Sequence, residues 1–370
     1  MHNPCRREGA KPARPDWRSL SCNVKRAANS VREVLEQELV SKGSSRPFRN
    51  LRTILALGLL IAIGRPAAGA QAGGTSSYAQ PGRLVRLNDG RSINLNCTGK
   101  GLPTVVLESG FGAGASAWAG VQPLIAAKTR VCSYDRAGYG FSDPGRMPRD
   151  GEAIARDLDQ TLRRAGERGP FVAVGHSAGG LYARLFAARR VRETIALVLV
   201  EPSVPFQDRR VAAIVGPNAG SLEGVRHRPA ACLEAAIKGS QDALDALGCL
   251  PKESADMRVI ASRPSTWRTQ LSELDTLFKG TSAQVLRTIP VLKDKPVIIL
   301  TASPTGLPAG KDNPSAMVWQ GLHHETAGEF LKGQQRLVKS SHLMMNDRPE
   351  VVAATVLESV EAGRLTSQRR

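Results

Sequence analysis

The sequence predicts an α/β fold: a mostly parallel sheet covered by helices on both faces, with a helical insertion over one end. Three observations carry this. Short apolar runs alternate with stretches of helical spacing from residue 83 onward. A Gly-x-Ser-x-Gly sequence lies between one apolar run and the helix after it. Residues 203–290 hold no strand runs and are rich in Ala, Leu and charge, so they read as helices inserted between two strands.

The elements follow in order. Residues 83–87 and 91–97 alternate apolar and polar positions around Asn88-Asp89-Gly90, a hairpin signal. Residues 104–107 form a short apolar run that ends in Glu108-Ser109-Gly110-Phe111-Gly112. A helix is expected over 116–127, a strand over 130–134 and a helix over 152–165, where Ile154, Leu158 and Leu162 share one face. Residues 171–174 predict a strand, 177–188 a helix and 195–200 a buried strand. After the insertion come a strand at 297–300, a helix at 315–331, a strand at 336–339 and a helix at 349–360. The core is thus expected over 83–202 and 291–365, with residues 203–290 as a cap.

The first 70 residues stand apart. Arg46, Arg49 and Arg52 precede a ten-residue apolar run at 54–63, and Ala68-Gly69-Ala70 follows. A basic region, a short apolar core and a small-x-small site describe a secretory signal peptide over 46–70. The run is short for a bilayer span, which takes about 20 residues; an uncleaved N-terminal anchor is the alternative. Residues 1–45 are polar and basic, a disordered leader or a start assigned upstream of the true one. Residues 71–82 read as a flexible Gly/Ser/Gln linker. The expected location is therefore outside the cytoplasm, with the membrane touched only through this N-terminal segment.

Charge points away from nucleic acid. The net charge of +18 divides into +8 over the first 70 residues and +10 spread along the other 300. A nucleic-acid binder gathers basic residues on one face and adds stacking aromatics, and only 4% of these residues are aromatic. Beyond the leader four cysteines remain: Cys97, Cys132, Cys232 and Cys249. An even number in an exported chain permits disulfides, with three possible pairings. No Cys-x-x-Cys or His-rich cluster suggests a metal site.

The chemistry centres on Gly175-His176-Ser177-Ala178-Gly179. A sharp strand-to-helix turn lifts the serine hydroxyl above the sheet. The helix behind it favours developing negative charge. A serine hydroxyl needs a base, and the chain order expected for such a turn is serine, acid, histidine. His342, in the loop between the last strand and the last helix, is the expected base. His323 and His324 fall on a helix, solvated or packed, and His227 belongs to the cap. The loop after 297–300 holds no carboxylate before Asp312, whereas Glu201 directly follows the strand at 195–200. Glu201 is the preferred acid and Asp312 the alternative. The backbone N–H groups of Phe111 and Ala178 are the expected oxyanion donors.

From about residue 83 to 360 the chain resembles the α/β-hydrolase superfamily, in its helical-capped branch. The resemblance rests on Glu108-Ser109-Gly110-Phe111-Gly112, Tyr134-Asp135-Arg136-Ala137-Gly138-Tyr139-Gly140-Phe141-Ser142, Gly175-His176-Ser177-Ala178-Gly179-Gly180, and Ser341-His342 followed by Asp347-Arg348-Pro349. It implies an eight-stranded sheet, puts Cys97 beside Cys132 and leaves Cys232 with Cys249 inside the cap. A serine nucleophile argues against the dehalogenase and epoxide-hydrolase relatives, which use aspartate. The implied activity is hydrolysis of a small carboxylic ester through an acyl-enzyme, over a pocket shaped by the cap, with no cofactor. An aminopeptidase or amidase with the same residues, or a non-catalytic binding protein keeping the fold, are the other readings.

Overall fold

The computed structural model describes residues 78–216, 222–251, 255–303, 305–306 and 314–368. The leader, the signal segment, most of the linker and Asp312 lie outside the described residues.

Eight strands form one sheet: β1 (Arg83–Arg86), β2 (Ser92–Thr98), β3 (Thr104–Glu108), β4 (Val131–Tyr134), β5 (Phe171–His176), β6 (Thr194–Val200), β7 (Pro296–Ser303) and β8 (Lys332–Lys339). Their spatial order is β1-β2-β4-β3-β5-β6-β7-β8. The expected hairpin pairs β1 with β2, and β2 runs antiparallel to β4. Every later pairing is parallel.

The central strands are continuous apolar runs because both faces are covered. Val106, Ala173, Leu197, Leu199 and Ile299 join one core cluster, while Val105, Leu107, Val172, Val174, Val198 and Leu300 join the other. Burying each Val or Leu in full contributes about 1.5–3 kcal/mol.

The helices are α1 (Gln122–Ala126), α2 (Gly151–Ala165), α3 (Ala178–Arg189), α4 (Gln207–Val215), α5 (Glu223–Ile237), α6 (Gln241–Ala246), α7 (Ala255–Ala261), α8 (Pro264–Thr276), α9 (Ser282–Leu286), α10 (Ile289–Leu292), α11 (Pro314–Gly328), α12 (Met344–Asp347) and α13 (Pro349–Gln368). The first cluster takes Ile154, Leu158 and Leu162 from α2 and Leu181, Leu185 and Phe186 from α3. The second takes Ile125 from α1 and Val352, Val356 and Val360 from α13. Asp150 caps α2 by accepting from Ala153 N–H at 2.9 Å, and Gly166 closes it in the left-handed region.

The helix expected over 116–127 is broken. A 3-10 turn spans Ala115–Trp118, and α1 starts only at Gln122. Pro123 explains the break, since a residue without an N–H is tolerated only in a helix's first turn.

The insertion is helical throughout its described part. Its small core holds Cys232, Leu244, Cys249, Leu250 and Trp267. Cys232–Cys249 and Cys97–Cys132 are both disulfide-bonded, the two pairings the resemblance implies. Late in the insertion Leu277, Phe278 and Val285 already pack into the cluster that contains α2 and α3, as does Leu292 just beyond it. No helix among the described residues is long and apolar enough to cross a membrane.

Candidate active site

The turn from β5 into α3 places Ser177. Its backbone sits at φ 52°, ψ −126°, outside the usual regions for an L-residue. The turn is held from three sides: Ser177 N–H donates to Val200 O at 3.1 Å, and Gly180 and Ser203 N–H both donate to Ser177 O at 2.9 Å. Tight packing requires the flanking glycines. A Cβ on Gly175 would lie 2.4 Å from Gly179 O, and one on Gly179 would lie 2.5 Å from the carbonyls of Glu108 and Ser109. The helix thus starts directly against the loop after β3.

Glu201 follows β6 and also has a positive φ, 46°. Its side chain is 1% exposed, with His342 Nδ1 3.3 Å from Oε2. Trp319 Nε1–H donates to the same oxygen at 3.1 Å, and Ala302 N–H donates to Oε1. His342 sits just past β8 and is 46% exposed. Its loop is tied down by Asp347, which accepts from Ser341 N–H at 2.8 Å. The structure therefore brings Glu201 to His342. Among the described residues no hydrogen bond reaches the Ser177 hydroxyl; such contacts are often long in unliganded sites and tighten with substrate.

His323 proves packed: fully buried, with Nε2–H donating to Pro202 O at 2.8 Å and Thr301 Oγ1 2.9 Å from Nδ1. Burial lowers its pKa, so it braces the Glu201 turn as a neutral ring.

Phe111 and Ala178 offer backbone N–H groups with no acceptor among the described residues. The loop between β3 and the 3-10 turn lies against Ser177, since a Cβ on Gly110 would be 3.2 Å from Ser177 Cβ. Arg136, 1% exposed, holds that loop. It donates to Ser109 O at 2.7 Å, Gly110 O at 2.8 Å and Glu108 Oε1 at 2.9 Å, and to Glu273 of α8 at 3.2 Å. Tyr134 donates its hydroxyl proton to Glu108, and Tyr139 donates to Glu273 at 3.0 Å. Burial pushes the Glu108 carboxyl up to about 7 even though Arg136 opposes it.

His176 was not singled out by the sequence, beyond its place in the serine motif. Its Nε2 lies 2.9 Å from the carbonyl oxygen of His342, and the two rings are 4.8 Å apart. Burial, then the neighbouring His342, holds its pKa down at about 4. Trp319 and Glu273 were also missed; each meets the site only through the tertiary fold, and nothing local marks them.

Between the cap and the Phe111 loop lies a cavity of about 650 Å³, lined in part by Phe111, Tyr139, Phe141, Trp267, Asn96 and Gln270. Most of its lining is apolar, with Met257, Ile260 and Leu250 beside the rings, and neither Ser177 nor His342 is part of that lining.

Residues 105–355 match the family described as "Alpha/beta hydrolase family". The chain is 31% identical over 101 residues to the uncharacterized protein YqjL of Bacillus subtilis, covering 27% of this chain and 40% of that protein. For three curated relatives, YqjL among them, the match spans two fifths or less of their own length. A haloalkane dehalogenase variant from Bradyrhizobium elkanii superposes with TM-score 0.59 at 19% identity, over 76% of this chain and 97% of that one. An esterase from Exiguobacterium antarcticum superposes with TM-score 0.55 at 16% identity, over 76% and 99%. At these identities the likeness shows the fold. The extent of the family match settles membership: the chain belongs to the alpha/beta hydrolase family.

Proposed function

We propose that this protein is a serine hydrolase that cleaves carboxylic esters through an acyl-enzyme, with Ser177 as nucleophile, His342 as base and Glu201 as the acid. One observation supports this above the rest: the buried Glu201 carboxylate meets the Nδ1 of a half-exposed imidazole, in the loop that returns to the serine turn.

In the proposed reaction His342 takes the Ser177 proton as the hydroxyl attacks the ester carbonyl. The N–H groups of Phe111 and Ala178 receive the oxyanion. Alcohol leaves with the proton, and water activated by His342 then releases the acid. Glu201 keeps the proton on Nδ1 and stabilises the imidazolium. The cavity beside Phe111 is where this reading seats a small-molecule substrate. We further propose export, which the apolar run and A-x-A site in the sequence support and with which two disulfides are compatible.

The test is fluorophosphonate labelling together with turnover of p-nitrophenyl esters and aminoacyl anilides. Wild type is expected to label and to prefer esters; Ser177→Ala should lose the label and at least about 10⁴-fold in kcat. Labelling that survives in Ser177→Ala would end the proposal, and anilide preference would move it to an aminopeptidase.

A further inference from the structure

We propose that His176 is a positioning residue, whose Nε2–H grips the backbone carbonyl of His342 and keeps that imidazole in line between Glu201 and Ser177. The inference rests on the functional reading above and adds a residue to it.

The bond has one consistent polarity. The partner of Nε2 is a carbonyl oxygen, which only accepts, so the His176 proton sits on Nε2. Burial of the ring keeps it neutral, so it brings no charge to a site where His342 must become cationic. The bond attaches to His342 itself, so it fixes the Cα from which the base projects. The loop is also held at its surface by Ser341 and Asp347 and in the second core cluster by the buried Met344 and Met345, none of which bonds to the His342 backbone.

The opposite edge of the ring faces the oxyanion loop. A Cβ on Gly110 would stand 2.9 Å from His176 Nδ1 and 3.2 Å from Ser177 Cβ. Gly110 directly precedes Phe111, whose N–H has no acceptor among the described residues. A single buried ring thus touches the base loop on one edge and the oxyanion loop on the other. His176 is the last residue of β5, directly before Ser177, so one side chain links all three segments. Misplacement of a catalytic group by about 1 Å can cost about 10²-fold in rate.

The experiment compares His176→Phe, which keeps the ring and removes the donor, with His176→Gln, whose side-chain N–H₂ reaches the place of Nε2. Steady-state turnover of p-nitrophenyl esters should fall about 10- to 100-fold in kcat for His176→Phe with KM little changed, and His176→Gln should recover most of it at the same thermal stability. His176→Phe within about twofold of wild type, or His176→Gln no better than His176→Phe in equally stable proteins, would overturn the inference. Long-range ¹H–¹⁵N spectra of the wild type give a readout that needs no turnover. The Nε2–H tautomer at pH 7 is expected, and an Nδ1–H tautomer would remove the grip. Absence of turnover in wild type would defeat the functional reading, while the spectra would still decide on the bond.

Discussion

Two glutamates flank the strand that leads into Ser177. Glu108 ends β3 and Glu201 follows β6, on either side of β5, and each is 1% exposed. Their surroundings differ. Glu108 faces a buried guanidinium and a phenol, with Glu273 as a like charge beyond, and it is pushed up to about 7. Glu201 receives N–H groups from Ala302 and Trp319 and touches an imidazole that is open to solvent. Burial alone therefore does not make a triad acid. What distinguishes the two is whether the carboxylate looks toward a group that must change protonation during the reaction. Glu108 braces the loop after β3 through Arg136, and the proposed chemistry falls to Glu201.

The sharpest way to break this contrast is Glu201→Gln. An amide cannot stabilise an imidazolium as a carboxylate does, so kcat is expected to drop about 10³-fold or more in steady-state assays. A loss under tenfold would reassign the acid, with Asp312 next in line. A smaller effect is expected from Trp319→Phe, which keeps the ring and removes one donor to the carboxylate. A hydrogen bond to a charged group contributes about 1.5–3 kcal/mol, so a decrease of about 10-fold in kcat should appear with KM unchanged.

The smallest effect on turnover belongs to Glu108→Gln. The isosteric amide keeps an acceptor for Arg136, and the substitution should leave kcat within about twofold. Its signature lies in stability. The folded-state pKa is raised from 4.5 to about 7, so between those values the folded protein keeps a proton that the unfolded chain releases. Stability from this group is complete below about pH 4.5 and is lost as pH rises to about 7. Thermal melts of wild type at pH 5 and pH 8 should show that decline, and Glu108→Gln should flatten it. An unchanged slope would mean that Glu108 titrates normally.

Much of this was legible in the sequence. The alternation of apolar runs gave the strand order a framework because each central strand is buried on both faces, and the Gly-x-Ser-x-Gly turn is local: Gly175, Ser177 and Gly179 carry it within five residues. The approach of Glu201 to His342 was foreshadowed by its place directly after a strand. Other features were out of reach. The grip of His176 on His342 joins residues 166 apart, and Glu273 reaches Arg136 only when α8 folds back onto the core. The break near residue 121 was readable in principle from Pro123. The point where the chain rejoins the core was not, since Leu277 and Phe278 look like any other helical apolar pair.

That rejoining point gives the cap two roots seated on different helices. On the outgoing side Leu277 and Phe278 are anchored among the side chains of α2 and α3. On the incoming side the buried Val204, with Val211 and Ile214 of α4, packs against Val318, Leu322 and Trp319 of α11. The indole of that same Trp319 donates to Glu201. One packing contact thus separates the cap's point of entry from the carboxylate beside His342.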